Sequence, residues 1–165
     1  MRTAALILSL LAPAAAADVT VTFIEGAPTD RFVIASNADC ALGDAQLAID
    51  LGGSAGGLIF DVTSAGQGVE VFQPLTLVSG ADQVRAISEI TDGGTQLTVD
   101  LQALQADRPV AFTLDLDDTL GGREITVSGA EIAGATVTLA SAGSVQSATF
   151  DTAARARLDG FGCTS

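Results

Sequence analysis

From Pro109 to Leu139 apolar and polar residues alternate with a period of two. Val110, Phe112, Leu114 and Leu116 hold one set of positions; Ala111, Thr113, Asp115 and Asp117 hold the other. On an extended backbone successive side chains point to opposite faces, so the first set lines a core and the second meets water. Ile125 and Val127 carry the pattern on after Gly121-Gly122, and Val137 and Leu139 do so after a further glycine break. The segment reads as half-buried antiparallel strands.

The same period recurs along the chain. Val19, Val21 and Phe23 alternate with threonines, and Phe32 and Ile34 follow between Arg31 and Ser36. Leu47, Ile49 and Leu51 form a third inner set, opposite Gln46, Ala48 and Asp50. Leu58 to Thr63 and Val69 to Phe72 read as further strands separated by glycines. Pro74 interrupts the run resuming at Leu75 and Leu77, which marks an edge strand or a bulge. Val84 to Thr91 and Thr95 to Leu101 flank Asp92-Gly93-Gly94, a hairpin signal. Leu101 to Ala106 predicts one helical turn, ended by Pro109 because the residue before proline avoids helical geometry. Val145 to Phe150 and Thr152 to Leu158 close the series. About nine to eleven short strands with glycine-rich turns and little helix predict an all-β, antiparallel, immunoglobulin-like β-sandwich. No steady internal repeat supports a solenoid instead.

The first seventeen residues break the pattern. Arg2 precedes an apolar run from Ala4 to Leu11, and Ala15-Ala16-Ala17 stands before Asp18. That is the form of a cleaved secretory signal peptide over residues 1–17, followed by one domain over 18–165. The run is too short to span a bilayer. An exported, extracellular or periplasmic protein is expected, with no membrane span.

Removing the leader leaves 20 acids against 6 arginines. A surface of that sign repels nucleic acid and attracts cations and basic partners. The chain has no histidine, lysine, tryptophan or tyrosine. Without histidine there is no Ser-His-Asp or Cys-His machinery and no imidazole metal site. Without lysine there is no Schiff base. Carboxylates, hydroxyls, arginines and two cysteines carry whatever chemistry remains.

Cys40 and Cys163 are the only cysteines. In an oxidising compartment they are expected to form a structural disulfide that ties the C-terminal tail to an early strand end. Asp115, Asp117, Asp118 and Glu131 form the densest acidic group. Asp115 and Asp117 would share a strand face roughly 6.6 Å apart. Calcium takes six to eight oxygens and is the cation such a group would hold, joined by Glu25 and Asp30 if the loops meet. A solvated acidic face beside Arg123 is the simpler reading. A carboxylate pair for glycoside hydrolysis needs no histidine, but sugar sites of that kind add tryptophan or tyrosine platforms, absent here. Arg155 and Arg157 form the one close basic pair, which reads as a solvated strand face or a site for an acidic neighbour.

The run from Val110 to Thr119, followed by Val127 to Val137, resembles a pattern in bacterial extracellular β-sandwich domains. With Phe23 to Phe32 included, most of the chain after the leader is similar to small exported proteins of marine alphaproteobacteria. These are known as "aggregation factor core" proteins from their distant similarity to sponge aggregation factors. The resemblance implies an immunoglobulin-like surface or adhesion module, calcium-assisted, with no catalytic residue. A non-enzymatic binding or adhesion protein is therefore expected, its partner a protein or a cell-surface glycan. A periplasmic accessory protein and a carboxylate-only hydrolase are the alternatives.

Overall fold

The computed structural model describes residues 16–63, 73–120 and 127–163. Twelve strands run in the order β1 (Ala16–Ile24), β2 (Asp30–Ser36), β3 (Ala45–Asp50), β4 (Ile59–Phe60), β5 (Thr76–Ser79), β6 (Val84–Ile87), β7 (Gln96–Leu101), β8 (Val110–Leu114), β9 (Leu116–Asp117), β10 (Thr136–Ser141), β11 (Ser144–Thr149) and β12 (Arg155–Gly162). Every pair of named strands is antiparallel. One five-stranded sheet has the order β12-β1-β2-β8-β5 and the other β11-β10-β3-β7-β6, with β4 and β9 as a two-stranded annex. The all-β sandwich expected from the alternation is the fold. Among the described residues the only helical pieces are two 3₁₀ turns, Leu51–Gly53 and Ala81–Gln83.

Alternation decides which residues fill the space between the sheets. Val19, Val21, Phe32, Ile34, Val110 and Phe112 come from one layer; Leu47, Ile49, Leu97, Val99, Val137 and Leu139 come from the other. All are buried. Phe32 is the hub: its ring lies 5.4 Å from that of Phe23, 5.5 Å from Phe112 and 6.2 Å from Phe150. Such tilted and offset contacts suit the quadrupoles of aromatic rings.

Several expectations are corrected. The strand read over Leu58 to Thr63 shortens to Ile59–Phe60, because Val62 and Thr63 turn away to donate their amides to Asp92. Asp92-Gly93-Gly94 is accordingly more than a hairpin turn. Gly93 N donates to Phe60 O and Phe60 N to Gly94 O, so it also serves as partner to β4. The helical turn expected over Leu101 to Ala106 is absent. Leu104 exchanges backbone hydrogen bonds with Leu42 at 2.9 and 2.8 Å, and both side chains are fully buried. Burying Leu104 and pairing its amide outweigh a weak local preference for helix. Val127 is buried but lies in a loop. The Gly121-Gly122 turn, Arg123, Ile125 and the run from Val69 to Phe72 lie outside the described residues.

Pro74 leads into β5, which is an edge strand and carries a register shift between Leu77 and Ser79. The other layer is fastened near the same side by a residue whose role the pattern does not reveal. Gln83 is 1% exposed, its Nε2 donates to Arg108 O at 2.9 Å, and its Oε1 accepts from Gln105 N at 2.7 Å. An apolar side chain there would leave both backbone groups unpaired, at about 1–3 kcal/mol each.

The first and last strands lie side by side, with Thr20 opposite Arg157 and Thr22 opposite Arg155. Ala16 and Ala17, which the sequence assigns to the leader, extend β1 opposite Gly162 and Phe161. Cys40 follows β2, the strand on the other side of β1, and Cys163 follows β12. The two are joined as a disulfide with Cα atoms 5.8 Å apart.

Candidate functional site

Two charged regions stand out, one acidic and one in which arginines stand beside aspartates. The acidic region forms where β8 ends. Asp30, the first residue of β2, is in register with Leu114, the last of β8. The next residue, Asp115, breaks the strand, and Leu116–Asp117 pairs instead with β4 as β9. The expectation of one continuous strand through Asp117 is thus corrected: the chain leaves the large sheet at Asp115 to cover Phe60. The break places Asp115 beside Asp30.

Asp30 is 2% exposed and its Oδ1 accepts Gly26 N at 3.1 Å. Burial pushes its carboxyl up to about 7, with the charges of Asp115 and Glu25 adding to the rise. Asp115 is pushed up to about 6 by burial and by the charge of Asp117. The Leu116 amide opposes the rise in both. The charges of Asp115 and Glu25 thus both act on the buried Asp30 carboxyl.

Glu131 is held differently. Its Oε2 accepts from Ser128 N at 2.6 Å and Ser128 Oγ at 2.8 Å, a side chain folded back on its own turn. That loop is fixed against the one after β3 by Ala55 N to Ala133 O, 2.8 Å, and Gly56 N to Glu131 O, 2.9 Å. The loops pass so closely that Gly134, at φ +93°, has no room for a Cβ against Gly53 O. Glu25 Oε2 accepts Gly129 N at 3.1 Å. Asp118 follows β9, its Oδ2 buried and without a hydrogen-bond partner among the described residues. Among those residues no group of three or more histidine, cysteine, aspartate or glutamate side chains is placed to hold a metal ion.

The second region is the outer face of the five-stranded sheet that contains β1. Alternation turns Arg155, Arg157 and Asp159 of β12 outward, with Thr20 and Thr22 of β1 and Ala35 of β2. These residues, with Asp18 and Asn37, line a cleft of about 440 Å³. Asn37 Nδ2 donates to Thr20 Oγ1 at 2.7 Å, and Asp18 Oδ1 accepts Gly160 N at 3.0 Å. Arg31 is exposed further along the same face.

Neither the protein-family models, nor the curated proteins, nor the solved structures contain a match to this chain.

Arginine use separates the two outer faces. Among the described residues the ion pairs are Arg85–Asp44, 2.7 Å, and Arg108–Asp82, 2.9 Å. Arg31, Arg155 and Arg157, all on the outer face of the sheet with β1, belong to neither. The outer face of the other sheet carries Asp50 and Asp100, with Gln46 Nε2 bound to Asp100 at 2.8 Å. A chain of formal charge −13 thus gathers three guanidinium groups on the outer face of one sheet. Sequence reasoning found the Arg155–Arg157 pair and its strand. It missed Thr20, Thr22 and Asn37 beside them, because the pairing of first strand with last is not a local property.

Proposed function

We propose that this is an exported, non-enzymatic binding protein of the adhesion type, working through the outer face of β12, β1 and β2. The observation that supports the reading is the cleft whose wall carries Arg155 and Arg157, facing solvent in a strongly acidic molecule. An arginine costs little to leave in water and binds planar oxyanions through two parallel hydrogen bonds. Long-range attraction of anions by this protein is weak because its net charge opposes it. Binding at this face therefore acts at contact range and suits a surface already held nearby. The disulfide and the sandwich give such a face a rigid base.

The test is co-sedimentation of the purified protein with the envelope fraction of the producing cells. An Arg155→Gln/Arg157→Gln variant, folded by circular dichroism, is expected to lose roughly ten- to a hundredfold in retention, the loss of one or two charge-assisted hydrogen bonds. Equal retention of both proteins refutes the reading. Retention measured with and without a calcium chelator reports whether this binding is calcium-assisted. Protein found only in the periplasm would assign the partner to that compartment and count against cell-to-cell adhesion.

A further inference from the structure

The cleft over β12, β1 and β2 has two unlike ends. Asp18 and Asp159 both line one, where Gly160 N donates to Asp18 Oδ1. Next come Thr20 with Arg157, then Thr22 with Arg155, as directly opposed residues. Opposed side chains stand about 5 Å apart, and Arg155 and Arg157, two residues apart on one strand, about 6.6 Å. The cleft therefore offers two guanidinium forks in line, a row of hydroxyls beside them, and a carboxylate end that accepts hydrogen bonds. Its wall contains no aromatic residue.

We propose that this cleft is a subsite for an acidic saccharide: Arg155 and Arg157 hold its carboxylate or sulfate group, while Thr20, Thr22 and the Asp18–Asp159 end bind its hydroxyls. The inference rests on the binding role assigned above to this face and names the ligand. A neutral sugar would lack the aromatic platform on which uncharged rings stack, and would leave both guanidiniums without an anion. An acidic peptide such as oligoglutamate supplies the anion but no hydroxyl groups for the threonines and the Asp18–Asp159 end. A polyhydroxylated anion satisfies both ends, since its hydroxyls donate where the protein accepts. The net charge of −13 sets the ionic conditions. Near 0.15 M salt the Debye length is about 8 Å, so repulsion from distant acids is screened while bidentate contacts persist.

Isothermal titration of the disulfide-bonded protein tests this at about 0.15 M salt. The probes are oligogalacturonate, a sulfated chondroitin oligosaccharide, a neutral malto-oligosaccharide and oligoglutamate. At least one of the first two is expected to bind, and the stronger identifies the anionic group. Arg155→Gln/Arg157→Gln should weaken it roughly ten- to a hundredfold. Arg85→Gln, which removes a distant surface ion pair, should leave it unchanged. The proposal is overturned if the neutral sugar or oligoglutamate binds as tightly, if the double variant binds equally, or if neither acidic saccharide binds. Arginine-dependent envelope retention without any acidic-saccharide binding refutes the ligand class alone. Retention that does not depend on the arginines, together with no acidic-saccharide binding, refutes the binding face as well.

Discussion

Removing the Cys40–Cys163 bridge should lower stability by roughly 4–5 kcal/mol. The two cysteines are 123 residues apart in sequence, so in the chain-entropy treatment the bridge restricts nearly the whole unfolded domain. The folded geometry points the same way. β12 is an edge strand paired only with β1, and the bridge ties its end to the loop that follows β2. For a domain of this size the loss corresponds to about 10–15 °C in melting temperature. Calorimetry of Cys40→Ser/Cys163→Ser, or of the wild type with and without reductant, measures it. Because β12 also carries Arg155 and Arg157, the reduced protein should lose its binding face before its core. A melting temperature indifferent to reductant would show that the bridge restrains nothing.

The second large effect is a dependence on pH centred on Asp30. Its folded value stands near 7 against an ordinary aspartate value of 3.8. The unfolded chain thus gives up this proton first, and folding is opposed once the buried carboxyl must ionise. The stabilising contribution is complete below about pH 4 and is lost as pH rises through about 7. Asp115, near 6, adds in the same direction over pH 4–6. In Asp30→Asn the Oδ1 acceptor for Gly26 N is kept and the titration is removed. The variant should match the wild type near pH 4 and exceed it by roughly 2–4 kcal/mol at pH 8. Denaturant unfolding at the two values decides the matter. A wild type that becomes more stable from pH 4 to 8, or a variant with the same pH dependence as the wild type, would show that Asp30 is not the group responsible.

The fold was legible wherever a strand faces the core on one side and water on the other. Val19, Val21 and Phe23, or Leu47 and Ile49, declare their faces because burial tolerates only apolar residues at every second position. Legibility ended where tertiary pairing overrules the local pattern. Nothing before Asp115 signals that the chain leaves the sheet there, since Leu116 keeps the alternation intact; only the need to cover Phe60 accounts for it. Leu104 and Gln83 escape the local pattern for the same reason: their partners, Leu42 and Arg108, lie 62 and 25 residues away. The disulfide was legible from cysteine count alone. At the candidate sites, residue types could be named but not their neighbours. Asp30 joined Asp115 through strand register, whereas Glu131 was drawn to Ser128. Arg155 and Arg157 acquired Thr20 and Thr22 only because β12 pairs with β1.

The central claim is that this sandwich binds through the sheet face built by its first, second and last strands. Amide chemical-shift mapping of the ¹⁵N-labelled protein during titration with acidic oligosaccharide tests it most directly. The account predicts shifts grouped at Asp18 to Thr22, Ala35 to Asn37 and Arg155 to Asp159. Shifts gathered instead around Asp30, Asp115 and Asp117, or none at all, would contradict it.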